Sequence, residues 1–243
     1  MKPTIISIAG GSATGKSTLT CVLRNILGED NVLILECDDL HLWEREHEKW
    51  ESVTHLNPAS NDLKRGVEEL RDLKSGLPLQ RKSYNHKNGK FYYKNIEPKK
   101  YIIHEGLHTL CLKEFRDNSD IKIFLDVDED LRIFWKLARD TKKRGHLPKK
   151  VLQDIENRKQ DFQKYILPQK KYADIVIKYE KSRSAIDFSC LSVYLKMGNI
   201  EEKIEIGASK ADIFLNSKNT NISKFNKKNM FDALAMCYSR RRK

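Results

Sequence analysis

Cysteine, proline and long apolar runs are all scarce in this chain. The five cysteines (Cys21, Cys37, Cys111, Cys190 and Cys237) are odd in number, widely spaced and never form a Cys-x-x-Cys pair. That excludes a disulfide framework and a paired-cysteine zinc site, and predicts reduced thiols. No apolar run reaches the roughly 18 residues that a membrane span needs. The N-terminal stretch Met1-Lys-Pro-Thr-Ile-Ile-Ser-Ile-Ala-Gly-Gly11 goes straight into a strand and a glycine turn. It lacks the apolar core and small-residue cleavage site of a signal peptide. A cytoplasmic chain with no membrane partner is therefore expected. With 39% hydrophobic and 33% charged residues in 243, the composition suits a globular domain with a real core, or one domain plus an appendage.

Positive charge is in excess, at a formal net +12. Nucleic acid, an anionic surface or a small anionic substrate would each suit it. The basic residues are spread along the chain and thicken at the end, in Lys227, Lys228 and Arg240–Lys243, where a solvated tail is the simplest reading. A nucleic-acid-binding NTPase would need an aromatic stacking platform, and the tail offers only Phe225, Phe231 and Tyr238. Nucleic acid is not the expected partner.

Short, nearly continuous apolar runs predict strands over Thr4–Ala9, Val32–Glu36, Tyr101–His104, Ile121–Val127 and Ala173–Lys178, as for strands buried on both faces. Between them, helices are predicted from the glycine turn to Leu27, over 59–74, over 129–143 and over 148–164 with Pro148 at the start. This alternation predicts an α/β fold, a parallel sheet with helices on both faces. Segment 77–100 is polar, turn-rich and aromatic, and predicts a loop or small hairpin over a site. Residues 1–180 are read as the main domain and 181–243 as a short C-terminal extension with a partly disordered basic tail. In that tail Met230, Phe231, Leu234 and Tyr238 suggest a short amphipathic helix, for packing or for a homodimer.

Gly10-Gly11-Ser12-Ala13-Thr14-Gly15-Lys16-Ser17 fits G-x-x-x-x-G-K-[ST], after a predicted strand and opening a predicted helix, the context this phosphate cradle requires. Its backbone N–H groups and the helix N-terminus suit nucleotide phosphates. Residues 10–17 with Thr18 are the expected ATP contacts, Lys16 reaching the β- and γ-phosphates and Ser17 a Mg²⁺ ion. Cys37-Asp38-Asp39-Leu40-His41 follows the second strand, which is expected to adjoin the cradle strand, so that Asp38 is placed to act as a base on an attacking hydroxyl. The third strand ends in His104-Glu105-Gly106, bringing Glu105 to the same edge as a second Mg²⁺ contact, with Gly106 permitting close backbone approach. Lys136, Arg139, Lys143 and Arg144 recur at three- and four-residue spacing, as a basic lid that offsets charge during phosphoryl transfer.

Together with Arg45, Lys82-Ser-Tyr84-Asn85-His86-x-x-Gly89, Arg139-Asp140 through Arg144-Gly-His146, Arg158-Lys-Gln-Asp161-Phe and Pro168-Gln-Lys-Lys-Tyr-Ala-Asp174, these motifs resemble the phosphoribulokinase/uridine kinase family, in order over residues 4–178. The resemblance implies a P-loop kinase with Asp38 as base. It also implies acceptor contacts at His41, Arg45, Tyr84 and His86, and a lid containing Arg139, Asp140 and Arg144. It further implies Mg-ATP as donor, with ribulose 5-phosphate the leading acceptor and a uridine-like nucleoside or another sugar phosphate the alternatives. Ala13 and Thr14 stand where plant-type members carry a regulatory thiol, so no thiol switch is expected there. An inert scaffold is at odds with the complete set Lys16, Ser17, Asp38 and Glu105.

Overall fold

The computed structural model describes residues 2–85, 87–181, 188–197 and 200–210, with side chains up to residue 180. Strands β1 (Thr4–Gly10), β2 (Val32–Glu36), β5 (Tyr101–Gly106), β6 (Ile121–Val127) and β7 (Ile175–Lys181) run parallel in the order β2-β5-β1-β6-β7. All five were legible as apolar runs because both their faces are covered. Along β1 the alternation sends Ile6 and Ile8 into one core and Ile5 into another. Helices α1 (Lys16–Leu27) and α4 (Glu129–Arg144) close the first face through Leu19, Leu23, Leu131 and Trp135. Helices α2 (Leu63–Lys74) and α3 (Lys113–Asn118) close the second through Leu63, Val67, Leu70, Leu73 and Phe115. Burial of these residues is the main source of stability, at about 25 cal/mol per Å² of apolar surface.

The strand order corrects one expectation. β2 does not adjoin the cradle strand: β5 lies between them. Glu105, paired in register with Ile8 of β1 and Glu36 of β2, is thus on the neighbouring strand, and Asp38 is one strand further out. Asp38 still reaches the cleft because the single turn Cys37–Leu40 folds inward across the end of β5. Gly106 makes the room: a Cβ there would lie 2.2 Å from Cys37 Cβ.

Two helices are shorter than their sequence patterns. The 59–74 prediction begins at Leu63, where the Asp62 side chain accepts a hydrogen bond from Arg65 N and caps the helix, while Pro58–Ser60 forms a separate turn. The 148–164 prediction breaks: α5 (Pro148–Asn157) ends, and a π-helical turn follows at Phe162–Ile166. Segment 77–100 is the hairpin of β3 (Leu79–Asn85) and β4 (Lys90–Ile96). Beyond residue 181, β8 (Phe188–Met197) and β9 (Ile200–Lys210) extend the main sheet antiparallel from β7. The amphipathic segment at 230–238 and the basic tail lie outside the described residues. No helix among the described residues is long and apolar enough to cross a membrane.

The hairpin is tied to the rest by one buried cation. Arg81, 2% exposed, lies with Nη1 3.0 Å from Asp39 Oδ2, close enough for charge attraction although not aligned as a hydrogen bond. Its Nε donates to Glu69 Oε2 of α2 at 3.0 Å and its Nη2 to the Glu36 carbonyl at 2.8 Å. Asp39 also accepts from Tyr84 N at 2.7 Å and Ser83 Oγ at 3.2 Å. Replacing Arg81 by Met removes the cation beside buried Asp39 and leaves Glu69 with Arg65 at 3.6 Å, and is expected to lower unfolding free energy by about 3–5 kcal/mol. Urea denaturation checks this, and a loss below about 1 kcal/mol would show that the network does not hold the hairpin.

Candidate active site

The phosphate loop leaves β1 at Gly10 (φ 153°) and enters α1 through Gly15 (φ 92°), both backbone positions that suit glycine. A Cβ on Gly10 would meet the Leu125 carbonyl at 2.8 Å. Ala13 sits at φ 64°, a left-handed conformation that costs an L-residue about 1–2 kcal/mol and that the loop imposes. Thr14 Oγ1 donates to the Gly11 carbonyl at 2.9 Å, and Lys16 Nζ donates to the carbonyls of Gly10 and Gly11 at 2.9 and 2.7 Å. Burial lowers the pKa of Lys16, opposed by the charges of Glu105 and Asp38.

Glu105 is anchored by Thr20 Oγ1 at 2.6 Å, while Ser17 Oγ lies 3.4 Å from its other oxygen. Ser17 and Thr20 are one helical turn apart, so they share a face of α1; that spacing was the sequence signal for Thr20, which the motif alone does not include. A single hydroxyl and a carboxylate fit a Mg²⁺ ion that keeps several waters and takes phosphate oxygens, rather than an all-protein cage. Consistently, no group of three or more His, Cys, Asp or Glu among the described residues is arranged to hold a metal by itself.

The two adjacent carboxylates after β2 separate cleanly. Asp39 is committed to Arg81 and the hairpin. Asp38 is half-buried, and its charge acts on Lys16, His55 and Arg144 alike, opposing the fall in pKa that burial imposes on each. Glu36, at the end of β2, is pushed up to about 7 by desolvation and by repulsion from Glu105, Asp38 and Asp39. Repulsion is the better-founded cause, because the residue keeps much of its contact with water.

Of the expected acceptor contacts, His41 and Tyr84 meet each other and Arg45 meets the hairpin turn. His41 is 9% exposed, with edge-on contacts to Trp50 and Tyr84, both at a centroid distance of 5.4 Å. Trp43 packs on Trp50 at 5.2 Å. Arg45 donates to the Lys87 carbonyl at 3.3 Å and lies against Gly89, where a Cβ would meet Arg45 Cβ at 2.4 Å. The hairpin turn at Lys87–Gly89 is therefore where the Arg45 segment docks. His86 lies outside the described residues. The Cys37 thiol touches His104 Nε2 at 3.2 Å, and burial raises its pKa; burial likewise pushes the Cys111 thiol up to about 12. Neither is a poised thiolate.

The lid residues converge, though on one another. Asp140 is held by Lys136 Nζ at 2.7 Å, Arg139 Nε at 2.8 Å and Arg144 Nη1 at 3.4 Å. Burial opposes its ionisation, but the hydrogen bonds from Arg139 and Lys136 win and hold the carboxyl down at about 2. Arg139 Nη2 also reaches Ser12 Oγ at 3.2 Å, joining α4 to the loop. Lys143 is exposed and outside this group. Phe162, in the π-helical turn, packs on the loop: a Cβ on Gly11 would lie 2.8 Å from its ring. Asp161 beside it accepts from Thr54 Oγ1 at 2.6 Å.

Comparison with known proteins agrees with this geometry. Residues 5–185 match the Phosphoribulokinase / Uridine kinase family. The phosphoribulokinase of Synechocystis sp. is 38% identical over 180 residues, 74% of this chain and 54% of that protein. The uridine kinase of Staphylococcus haemolyticus is 38% identical over 181 residues, 72% of this chain and 86% of that protein. The chain thus spans about half the length of the curated phosphoribulokinases it matches in sequence. The solved phosphoribulokinase from Rhodobacter spheroides shares the fold, with a TM-score of 0.67 at 17% identity over 97% of this chain and 99% of that one. With its phosphate loop, parallel sheet and colinear motifs, this chain belongs to the phosphoribulokinase/uridine kinase family.

Proposed function

We propose that this chain transfers the γ-phosphoryl group of ATP to a hydroxyl of a sugar phosphate, ribulose 5-phosphate foremost, in the cytoplasm. The observation that supports this reading best is Asp38: a half-buried carboxylate on the turn after β2 whose charge acts on Lys16 of the loop, with His41 and Arg45 three and seven residues further on. In this reading residues 10–18 hold the ATP phosphates, and Asp38 accepts the proton of the acceptor hydroxyl as its oxygen attacks the γ-phosphorus. Lys16, Arg139 and Arg144 offset negative charge on the transferring group. Asp140 keeps the three lid cations together and aimed. Arg45 binds the acceptor phosphate with a charge-assisted fork, and His41, Tyr84 and His86 bind its hydroxyls. Ser17 and Glu105 would hold Mg²⁺, which supplies electrostatic stabilisation of the phosphate oxygens.

A nucleoside acceptor is the second reading, and two observations favour it. The chain spans 86% of the Staphylococcus haemolyticus uridine kinase but 54% of the Synechocystis phosphoribulokinase. The aromatic group Trp43, Trp50 and Tyr84 around His41 also offers faces on which a pyrimidine ring can stack. A panel of Mg-ATP with ribulose 5-phosphate, ribulose and uridine, followed by ADP release, separates the readings.

Asp38→Asn is expected to lower kcat by about 10²–10⁴-fold with the KM for ATP little changed, whereas Asp39→Asn should act mainly on stability. A larger kcat loss in the Asp39 variant would move the base to the neighbouring carboxylate. Lys16→Ala should nearly abolish turnover in a folded protein, and full activity there would place the chemistry elsewhere. Arg45→Ala should raise the KM for ribulose 5-phosphate by about ten- to a hundredfold, the equivalent of one charge-assisted hydrogen bond, and leave the KM for ATP nearly unchanged. Equal losses for both substrates, or uridine as the better acceptor, would transfer the assignment to the nucleoside reading.

A further inference from the structure

Between the acceptor contacts and the phosphate loop stands His55, on a segment pinned from both flanks. Thr54 Oγ1 donates to Asp161 Oδ2 at 2.6 Å, beside the π-helical turn. Leu56 is buried against Leu107 and Ile166. The His55 carbonyl accepts from Asn61 Nδ2 at 3.2 Å and from His108 Nε2 at 3.4 Å. A carbonyl can only accept, so the His108 proton is on Nε2. The main chain at residue 55 is therefore held by bonds on both sides.

The ring is tied far less. It is half-buried, and it meets the His41 ring edge-on at a centroid distance of 6.2 Å. Among the described residues its nitrogens make no hydrogen bond or ion pair. His55 also lines a small void together with Ser12 of the phosphate loop, Lys136 of α4 and Arg158. It thus has an expected acceptor contact on one side and the loop and lid on the other. An acceptor whose hydroxyl attacks the γ-phosphorus must lie between those two sides.

Partial burial lowers the pKa of His55 well below the usual imidazole range, aided by the charges of Arg158, His41 and Lys136 and opposed by that of Asp38. At physiological pH the ring is therefore neutral, with one N–H donor and one lone pair. Such a ring suits a hydroxyl, which both donates and accepts. It suits a phosphate less, since the strong contacts to phosphate are those of cations.

We propose that His55 is a specificity-determining residue for the acceptor: beside His41, it takes a hydroxyl of the acceptor sugar and selects that hydroxyl's configuration. This rests on the proposed transfer to a sugar phosphate or nucleoside, and it narrows the substrate class to polyols with a stereocentre beside the two imidazoles. The pinned main chain makes selection possible. A ring that cannot follow a displaced hydroxyl loses its hydrogen bond to it, because such bonds weaken steeply with misalignment.

Initial rates of the full chain with Mg-ATP test this on two epimer pairs. One is ribulose 5-phosphate with its C3 epimer, xylulose 5-phosphate; the other is uridine with its 2′ epimer, arabinosyluracil. His55→Leu removes both polar atoms of the ring, whereas His55→Gln keeps a donor and an acceptor. For whichever acceptor the wild type uses, His55→Leu is expected to raise KM by about three- to tenfold, the equivalent of one neutral hydrogen bond. The KM for ATP should stay unchanged. The kcat/KM preference within the epimer pair should fall by a similar factor, and His55→Gln should restore much of it. A histidine needed only for packing would depress both epimers alike and leave their ratio as it was. An unchanged ratio in His55→Leu, or equal losses of acceptor and ATP affinity, overturns the inference while the kinase reading stands. A wild type that phosphorylates neither pair overturns both.

Discussion

The wall of the cleft opposite the phosphate loop depends on the ion network of Arg81. One guanidinium joins the turn after β2 through Asp39 and Glu36, α2 through Glu69, and the hairpin on which Arg81 itself sits. Each of these pieces is small, and a two-stranded hairpin is marginal by itself. The network is nearly dry, so its geometry is strongly specified: a partner that drifts leaves an unpaired charge. With Asp39 fixed between Arg81 and Tyr84 N, the turn that also carries Asp38 is held in place. The backbone position of the proposed base therefore depends on Arg81, on a different element.

A second charged network governs the opposite wall, and its logic is different. Asp140 neutralises part of a dense basic cluster on the last two turns of α4, where Lys136, Arg139 and Arg144 would otherwise repel one another. The helix end favours this arrangement, since cations in the last turn complement the helix dipole and Gly145 closes the helix with its N–H bonded back to Thr141. The cleft thus has a stiff acidic wall and a basic wall whose charges are grouped by a single carboxylate.

What the sequence revealed, and what it hid, follows from how local each signal is. The five parallel strands and the phosphate loop were legible because continuous apolar runs and a glycine pattern are local. The inward reach of Asp38 was legible in outcome but not in cause: the sequence placed β2 next to β1, and strand order is a long-range property that no short pattern encodes. Asp38 and Asp39 were indistinguishable as an adjacent pair, since their difference lies in Arg81, far along the chain. The break after α5 was hidden because Lys159–Lys164 keeps helical character while changing its hydrogen-bond period. Strands β8 and β9 lacked the continuous apolar run that marked the parallel strands, as befits antiparallel strands at a sheet's margin.

Gly106 bears on how this wall of the cleft can evolve. A Cβ at that position would collide with Cβ of residue 37, and every side chain except glycine's begins with a Cβ. Changing the thiol at 37 to another side chain therefore brings no relief. A lineage that replaced Gly106 would first have to withdraw the Cys37–Leu40 turn, and Asp38 would retreat with it. Diversification of this wall is thereby channelled away from the end of β5 and into the 41–50 segment and the hairpin positions that do not hold Asp39.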